Sequence, residues 1–357
     1  MGIAIPNITL ANVFTGDAFS AVTLTANVNN VPFTPNFLGQ IGLYYVDGIR
    51  TTDVAVNERN GKLEIIKTSE RGAEPETTTH AKGIMRKATA AHLAVEDTIN
   101  ADEVQNAINS GAVLGQSQMA SAQDLVQERM EGPFGLRARI ELTHEYHRLG
   151  GIQGLVLDKD GSELYNWYDF FHIAPPAPSA VNFGALKADE GVFEKQCTVW
   201  KRQLVKACAG LPVTAMRPVA LCGDNYYDAV YSNKEVKAAR SNRDSGRDGD
   251  VFSQNKAYSS VQYGGITYVN YQGTDDGKVG IDTNKARLFP MGVPGLFLML
   301  FAPPDIMGLT NMKGLPVFSF MPPSRQTERR AVLEGQSNPI TMCLRPLSLL
   351  ELTMAGQ

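Results

Sequence analysis

Residues 116–150, QSQMASAQDLVQERMEGPFGLRARIELTHEYHRLG, predict the helix around which the rest of the chain is organised. Apolar and aromatic side chains recur there at steps of three and four residues, as on one helix face: Leu136, Ile140, Thr143, Tyr146 and His147. The opposite face is predicted to carry the charged side chains Arg137, Arg139, Glu141, Glu145 and Arg148. Pro133 removes a backbone donor, so we expect a kink or a break there. Gly150 and Gly151 predict the C-terminal stop of the helix.

The segment after the helix predicts a β-hairpin. Residues 152–171, IQGLVLDKDGSELYNWYDFF, alternate between apolar and polar, turn at Asp160-Gly161, and alternate again. An Asp-Gly pair between two alternating runs is a strong local hairpin signal. The sequence therefore predicts a long helix, a tight stop and a hairpin that ends in aromatic side chains.

The composition is that of an ordinary folded protein. The chain has 357 residues, with 43% hydrophobic and 20% charged residues, which is enough for two or three domains. A net charge of -4 and a pI of about 5.8 predict no global attraction to nucleic acid or to an anionic membrane. The longest apolar run, 290–304, is interrupted by prolines and too short to span a bilayer, and we expect no signal peptide. Four scattered cysteines without a CxxC pair predict free, buried thiols in a reducing cytosol.

The first 95 residues predict extended structure. Residues 1–45 carry short β-like pieces, which indicate an arm with one short helix near Phe37–Ile41. In residues 46–95, TTDVAVN and KLEIIKT both alternate around a turn at Asn60-Gly61, which is typical of a hairpin. A long two-stranded hairpin is only marginally stable alone, so we expect it to lie on a neighbouring subunit.

The middle of the chain predicts helices and strands in alternation. A helix lies within 96–115, with Asn100 as its N-cap, and a Pro/Ala linker at 174–180 predicts a domain boundary. A second helix is predicted at 190–209. Further elements follow from local patterns: a strand at PVALCG, a single helix over DNYYDAVYSNKEVKAARSN, a charged loop at 242–250 and strands in VQYGGITYVNYQG.

No catalytic motif stands out. His144 and His147 form H-x-x-H on the long helix, a spacing that a metal site could use, but few other histidines remain to complete it. We expect these two histidines to be structural. No G-x-S-x-G elbow, phosphate-binding loop or dinucleotide fingerprint is present. Basic side chains form three local clusters, interpreted as partners for acidic groups of other subunits: Lys82/Arg86/Lys87, Lys201/Arg202/Lys206 and Arg325/Arg329/Arg330.

The order of these features resembles the major capsid protein E family of tailed phages, the phage lambda-type shell proteins. Four stretches carry the resemblance, and they cover about half of the chain: residues 31–68, 71–104, 136–171 and 288–352. Each stretch is a loose pattern, and their joint order makes the resemblance specific. It implies the Hong Kong 97-type capsid fold, an α+β fold with a long spine helix. Its implied parts are an N-terminal arm (1–45), an extended loop (46–95), a peripheral domain with the spine helix (96–180), an α/β axial domain (181–305) and a C-terminal return to the peripheral domain (306–357).

The resemblance also implies a function. The chain would be a virion major capsid protein, made in the host cytoplasm, which self-assembles as hexamers and pentamers into an icosahedral shell around double-stranded DNA. Scaffold, portal and decoration proteins would be further partners; no cofactor, metal, catalytic residue or membrane is implied. Candidate assembly residues are Lys62, Lys67, Arg71, Arg86, Arg325, Arg329 and Arg330. Some members of this fold crosslink subunits through a lysine on the extended loop, but Lys62 and Lys67 are predicted to be ordinary interface or solvated residues.

Two alternatives remain at this point. The first is a soluble α+β enzyme, a hydrolase assisted by a metal at His144 and His147. The second is another virion component, such as a tail or decoration protein, which would form rings or trimers and not closed shells.

Overall fold

The structure is a computed structural model that describes residues 37–58, 83–113, 118–132, 134–186, 191–242, 258–274, 279–327 and 329–355. Several predictions lie outside these residues. They concern the arm up to residue 36, the turn at Asn60-Gly61 and almost all of the charged loop at 242–250.

The described α-helices agree with most of the predicted positions. They are α1 (Phe37–Gln40), α2 (Ala101–Val113), α3 (Gln118–Glu131), α4 (Leu136–Gln153), α5 (Trp167–Phe171), α6 (Val192–Ala207), α7 (Asp224–Ser232) and α8 (Lys234–Asn242). Short 3-10 helices lie at Phe183–Ala185, Met307–Leu309, Pro323–Arg325 and Pro346–Ser348. No helix in this part of the chain is both long and apolar enough to cross a membrane.

The described strands form several small sheets around one larger sheet. They are β1 (Tyr45–Gly48), β2 (Asp53–Glu58), β3 (Ile84–Thr89), β4 (Leu93–Asn100), β5 (Leu155–Leu157), β6 (Glu163–Asn166), β7 (Ser179–Val181), β8 (Arg217–Cys222), β9 (Ser260–Tyr263), β10 (Ile266–Asn270), β11 (Lys285–Met291), β12 (Phe297–Phe301), β13 (Phe318–Phe320), β14 (Arg330–Ser337), β15 (Pro339–Cys343) and β16 (Leu350–Met354). The larger sheet has the order β7-β16-β11-β8-β10-β9; the others are β1-β12-β15, β13-β14-β4, and the pairs β2-β3 and β5-β6.

The six-stranded sheet separates the two largest hydrophobic cores. Along β8, Val219 and Leu221 point into the core shared with α4, whereas Ala220 and Cys222 point into the core shared with α6 and α7. Side chains alternate between the two faces of a strand, so a strand buried on both faces must be apolar throughout. This explains why PVALCG reads as an uninterrupted apolar run.

The spine stretch forms two helices, which confirms the predicted break. Helix α3 ends at Glu131 and α4 begins at Leu136. The C-terminal stop at Gly150 and Gly151 was wrong, because α4 continues through both residues to Gln153 and ends at Gly154, whose φ is 79°. The two glycines instead allow close packing: a Cβ on Gly150 would lie 2.8 Å from the Leu155 carbonyl oxygen, too near for any real side chain.

The hairpin after the spine helix is confirmed. Strands β5 and β6 pair antiparallel, and the turn places Gly161 at φ 86°, which favours glycine. The hairpin ends in α5, capped by the Asn166 side chain, which accepts hydrogen bonds from Tyr168 N and Asp169 N. Trp167 follows directly and is fully buried.

One predicted helix is two helices. The stretch DNYYDAVYSNKEVKAARSN was expected to be continuous, but α7 ends at Ser232 and α8 begins at Lys234. Asn233 lies between them, and its side-chain oxygen accepts a hydrogen bond from Glu235 N at 2.8 Å. An asparagine that accepts from the backbone in this way starts a new helix, so it competes with continuation of the old one.

The four cysteines are free and buried, as predicted. Burial raises the pKa of the Cys222 thiol and raises that of Cys197 to about 11, so both thiols are protonated at neutral pH. These cysteines act as small apolar core residues.

Candidate assembly surfaces

The ribbon formed by β2 and β3 is one surface on which assembly residues were predicted. It stands on the body of the subunit at its base, where Val54 and Ala88 pack near Trp167 and Ile340. The Tyr165 hydroxyl donates to the Thr89 carbonyl oxygen at 2.7 Å and fixes that base. The described residues of the ribbon beyond this base remain available for other contacts.

The outer part of the ribbon exposes apolar side chains. Met85 is 73% exposed and the neighbouring Ile84 is about half exposed. Because successive strand residues point to opposite faces, the two side chains lie on opposite faces of the ribbon. Arg86 lies on the same face as Ala88 and pairs in register with Val56, and it interacts within the chain. Lys62, Lys67 and Arg71, which were predicted to join Arg86 in assembly, lie outside the described residues.

The second predicted surface is the arginine-rich end of strand β14. Arg330 is the first residue of β14 and pairs in register with Asn100 of β4, and Arg329 precedes it. Both arginines are exposed. Arg325 lies in the preceding 3-10 helix and forms an ion pair with Glu96 of β4 within the same chain. The structure therefore brings the three arginines to one sheet, and one of them already has an internal partner.

The acidic side chains at the same sheet end are largely neutralised. Arg129 of α3 lies 2.8 Å from Glu103 and 3.5 Å from Asp97. The Glu103 carboxylate also accepts the Asn100 N–H at 2.9 Å, and Asn100 directly precedes α2 at the position where the N-cap was predicted. Among the described residues, Arg329 and Arg330 form no ion pair with this cluster, so both can pair with a carboxylate of another subunit. Arg86 lies on the separate β2–β3 ribbon.

A buried polar cluster on the spine helix was missed by the sequence analysis. Glu145 was predicted on the exposed face, yet it is buried, and its Oε1 accepts hydrogen bonds from Leu38 N at 3.0 Å and from the Tyr271 hydroxyl at 3.2 Å. Arg148 is also buried, with its guanidinium 3.6 Å from Glu145. Removal of the carboxylate from water raises the pKa of Glu145. This cluster fastens α1 and the strand end at Tyr271 to the spine helix.

The two histidines of the H-x-x-H motif belong to this interior. His144 Nε2 lies 2.8 Å from the Ser337 hydroxyl, and its Nδ1 lies 3.6 Å from Glu141. Burial lowers the pKa of His144 and lowers that of His147 to about 4, so both rings are neutral at pH 7. Nowhere in the described ranges do three His, Cys, Asp or Glu side chains come together as a metal site.

The sequence contained a partial signal for this buried face. His144 and His147 sit beside the glycine pair Gly150 and Gly151, and a helix with glycines in its last turns approaches its neighbours closely. The β13-β14-β4 sheet packs on the first half of α4 at Leu136 and Ile140, and the six-stranded sheet and the β1-β12-β15 sheet cover its second half, so even charged positions there are buried. A helical wheel cannot predict that, because the covering strands β12 and β15 are formed by residues more than 140 positions after the helix.

Comparison with known proteins gives the family. The model of the family described as "Phage major capsid protein E" matches residues 20–354. Comparison with curated protein sequences finds no match.

Solved structures give the fold. A crystal structure assigned as a prophage capsid protein of E. coli CFT073 is 12% identical, with a TM-score of 0.53, and the match covers 94% of this chain and 98% of that one. The capsid of Myoviridae phage XM1 is 11% identical over 93% of this chain and 98% of that chain, with a TM-score of 0.46. The mature capsid of bacteriophage PhiM1 is 10% identical over 92% and 90%, with a TM-score of 0.49.

The family match spans nearly the whole chain, and it replaces the alternatives of a hydrolase and of a tail or decoration component. The α+β architecture is that of the Hong Kong 97-type capsid fold. This chain belongs to the phage major capsid protein E family: it is a structural protein of the icosahedral virion shell and not an enzyme.

Proposed function

We propose that copies of this chain form hexamers and pentamers through the β2–β3 ribbon and the arginine-rich end of β14, and that the closed shell encloses double-stranded DNA. The exposed ribbon carries this proposal. On a two-stranded ribbon, exposed apolar side chains such as Ile84 and Met85 are better covered by a neighbouring subunit than left in water. Burial of a methionine side chain against a neighbour contributes roughly 1.5–3 kcal/mol.

The arginines add specificity to such contacts. Arg329 and Arg330 are exposed at a sheet end where Arg129 already pairs with the carboxylates of Asp97 and Glu103. An exposed ion pair between subunits contributes only about 0–1 kcal/mol, so the arginines select the partner surface more than they add affinity. Many weak contacts of this kind sum to a stable shell because each subunit touches several neighbours.

The remaining parts of the proposal concern organisation and partners. We place the arm at 1–45, the extended loop at 46–95, the peripheral domain at 96–180, the axial domain at 181–305 and the C-terminal return at 306–357. The net charge of -4 gives the shell no overall attraction to DNA phosphates, which is compatible with enclosing DNA without binding it tightly. Scaffold, portal and decoration proteins are the expected further partners.

The test compares two variants with matched controls. Met85→Ser and the double variant Arg329→Ala/Arg330→Ala are expected to reduce severalfold the fraction of protein in shells, measured by sedimentation and electron microscopy. Circular dichroism should show that both remain folded. Arg139→Ala and Lys159→Ala, which also remove exposed cations, serve as controls and should assemble normally. Normal shells from both test variants would overturn the proposed contacts.

A further inference from the structure

We infer that, within each ring of subunits, the outer face of α6 in one copy binds the α7 end of the next copy. This inference rests on the proposed function, because it requires rings. It assigns the contact to two surfaces away from the ribbon and the end of β14, and it gives Arg202 and Lys206, from a basic cluster predicted to meet acidic groups of other subunits, a defined partner surface. The first, named the basic stripe, consists of Val192, Lys195, Val199, Arg202 and Lys206. The second, named the acidic end, consists of Asp224, Asp228, Tyr231 and Asp282.

The basic stripe is a continuous helix face. Its members follow one another at steps of three and four residues, which places them in one row along α6. The opposite face of α6, with Phe193, Cys197, Trp200 and Leu204, is buried against the six-stranded sheet. The stripe therefore points away from its own sheet. Within it, Val192 is 41% exposed and Val199 is 51% exposed.

The cations of the stripe have no carboxylate partner among the residues described. Lys195, Arg202 and Lys206 form no ion pair there, whereas Arg129 and Arg287 each lie within 2.8 Å of a glutamate oxygen. Val192 and Val199 lie between these cations, so the stripe presents exposed apolar surface as well as positive charge. Such a surface is complementary to one that combines negative charge with apolar area, and opposite charges would fix the register of the contact.

The acidic end has the complementary chemistry. Asp224 and Asp228 lie on the exposed side of α7, and Tyr231 is 42% exposed in the same row. Asp282 lies beside the start of α7, because its carbonyl oxygen occupies the space next to Gly223. In the described structure these aspartates form no ion pair. Three carboxylates and one aromatic ring thus face outward, opposite in sign to the basic stripe.

The two surfaces lie in one layer of the molecule. Helices α6 and α7 both pack on the same face of the six-stranded sheet, where Phe193 and Tyr226 share one core through Phe183. A contact between two different surfaces of identical chains is head-to-tail, and its repetition closes a ring when the rotations between neighbours add up to a full turn. The opposite charges favour contact between the basic stripe of one copy and the acidic end of another. A second copy of this chain is therefore the partner.

The test uses matched charge reversals in the full-length protein. R202E/K206E makes both surfaces acidic, and D224K/D228K makes both basic, so each variant alone is expected to lose rings and shells. The chain that carries all four substitutions restores opposite charges and should regain shells. K234E/K237E reverses two exposed lysines of the neighbouring α8 and is expected to assemble normally.

An equimolar mixture of the two double variants gives a sharper result. The contact can form only between unlike variants, so the ring must alternate and must contain an even number of copies. The mixture is therefore expected to form six-membered rings, but no five-membered rings and no closed shells. Pentamers from the mixture, or shells from either variant alone, would overturn the inference while leaving shell formation itself intact.

A crosslinking experiment on the unaltered protein tests the same contact without substitutions, so its result does not depend on the folding of a variant. A zero-length carbodiimide joins a lysine amine directly to a carboxylate. In shells assembled from equal amounts of ¹⁴N- and ¹⁵N-labelled chains, mass spectrometry is expected to find Lys195 or Lys206 joined to Asp224 or Asp228 of the other isotope. Assembled shells without such a crosslink would contradict the contact, whereas absence of any assembly would contradict the proposed function.

Discussion

At the scale of single residues, burial decides the chemistry of the spine helix. Glu145, Arg148, His144 and His147 are all covered, although each is a residue type that prefers water. Three of them have polar partners: Glu145 accepts two hydrogen bonds, Arg148 lies near two carboxylates and His144 meets Ser337. His147 has the weakest compensation, because burial and the nearby His144 both oppose its protonation. The spine should therefore be sensitive to acid.

The first prediction is that His147 makes the subunit less stable as the pH falls. Its folded-state pKa of about 4 lies below the ordinary value of 6.5, so the unfolded chain takes up the proton first. This contribution to stability is complete above about pH 6.5 and is lost as the pH falls toward 4. Between pH 7 and pH 5 we expect the free energy of unfolding to fall by roughly 2 kcal/mol from this residue.

Urea unfolding at the two pH values tests this prediction. The variant His147→Gln is expected to lose clearly less stability between pH 7 and pH 5 than the unaltered chain. His144 acts in the same direction, and Glu145 acts in the opposite direction because its pKa is raised. Both remain in the variant, so the difference isolates His147. An equal acid loss in both proteins would show that His147 takes up its proton normally.

The second prediction is that Gly150→Ala destabilises the subunit. Alanine normally favours a helix over glycine by about 1 kcal/mol. Here the added Cβ would lie 2.8 Å from the Leu155 carbonyl oxygen and 2.9 Å from the Val156 Cα, and these backbone atoms cannot move aside freely. We expect a net loss of about 1–3 kcal/mol in the free energy of unfolding.

Gly308→Ala is the matched control for that prediction, because nothing lies within 4 Å of the added methyl group. It should change the free energy of unfolding by less than about 0.5 kcal/mol. A Gly150→Ala variant as stable as this control would mean that β5 is not packed against the helix as described.

At the scale of elements, the sequence predicted the helices and turns that depend on interactions between residues close in the chain. The Asp160-Gly161 hairpin, the short helix at Phe37 and the helix at 192–207 all follow from turn chemistry or periodicity, and all are present. The break within DNYYDAVYSNKEVKAARSN was missed, because it depends on the Asn233 side chain capping the second helix. Capping by a single side chain is close in free energy to continuation of the helix, and periodicity does not show whether one helix or two will form.

The third prediction concerns Glu235, which caps a helix other than its own. Helix α6 begins after Gly191, which has no side chain to cap it. The buried Glu235 of α8 accepts hydrogen bonds from Val192 N at 3.0 Å and from Phe193 N at 3.3 Å, and also from the Tyr263 hydroxyl at 3.0 Å. Glu235→Ala should therefore lower the free energy of unfolding by about 1–3 kcal/mol.

Thermal unfolding of two variants checks the capping role. Glu235→Gln keeps one acceptor oxygen, so its melting temperature is expected to lie between those of the unaltered chain and Glu235→Ala. A Glu235→Gln variant as unstable as Glu235→Ala would argue against capping, and an unchanged melting temperature in both would exclude it.

At the scale of the whole molecule, the sheet order could not be predicted from the sequence. In the six-stranded sheet, β16 near the C-terminus pairs with β7, which lies more than 150 residues earlier. Such pairings depend on tertiary packing of strands that are locally alike. The resemblance to the capsid family supplied the architecture that periodicity lacked, and the family match over residues 20–354 confirms it.

The whole subunit is also suited to a shell. Its ribbon exposes apolar side chains, Arg329 and Arg330 are exposed at the start of β14, and α6 and α7 present exposed surfaces of opposite charge. Exposed apolar side chains and surfaces of opposite charge on one chain can be covered by contacts between copies. We therefore expect these surfaces to be buried between subunits in the assembled shell.

The most direct test is cryo-electron microscopy of shells assembled from the unaltered protein. The account predicts closed icosahedral particles with five- and six-membered rings, in which Met85 and Arg329 contact neighbouring subunits and the basic stripe of each copy meets the acidic end of the next. Particles in which these residues face only solvent, or protein that never forms a ring or a shell, would contradict it.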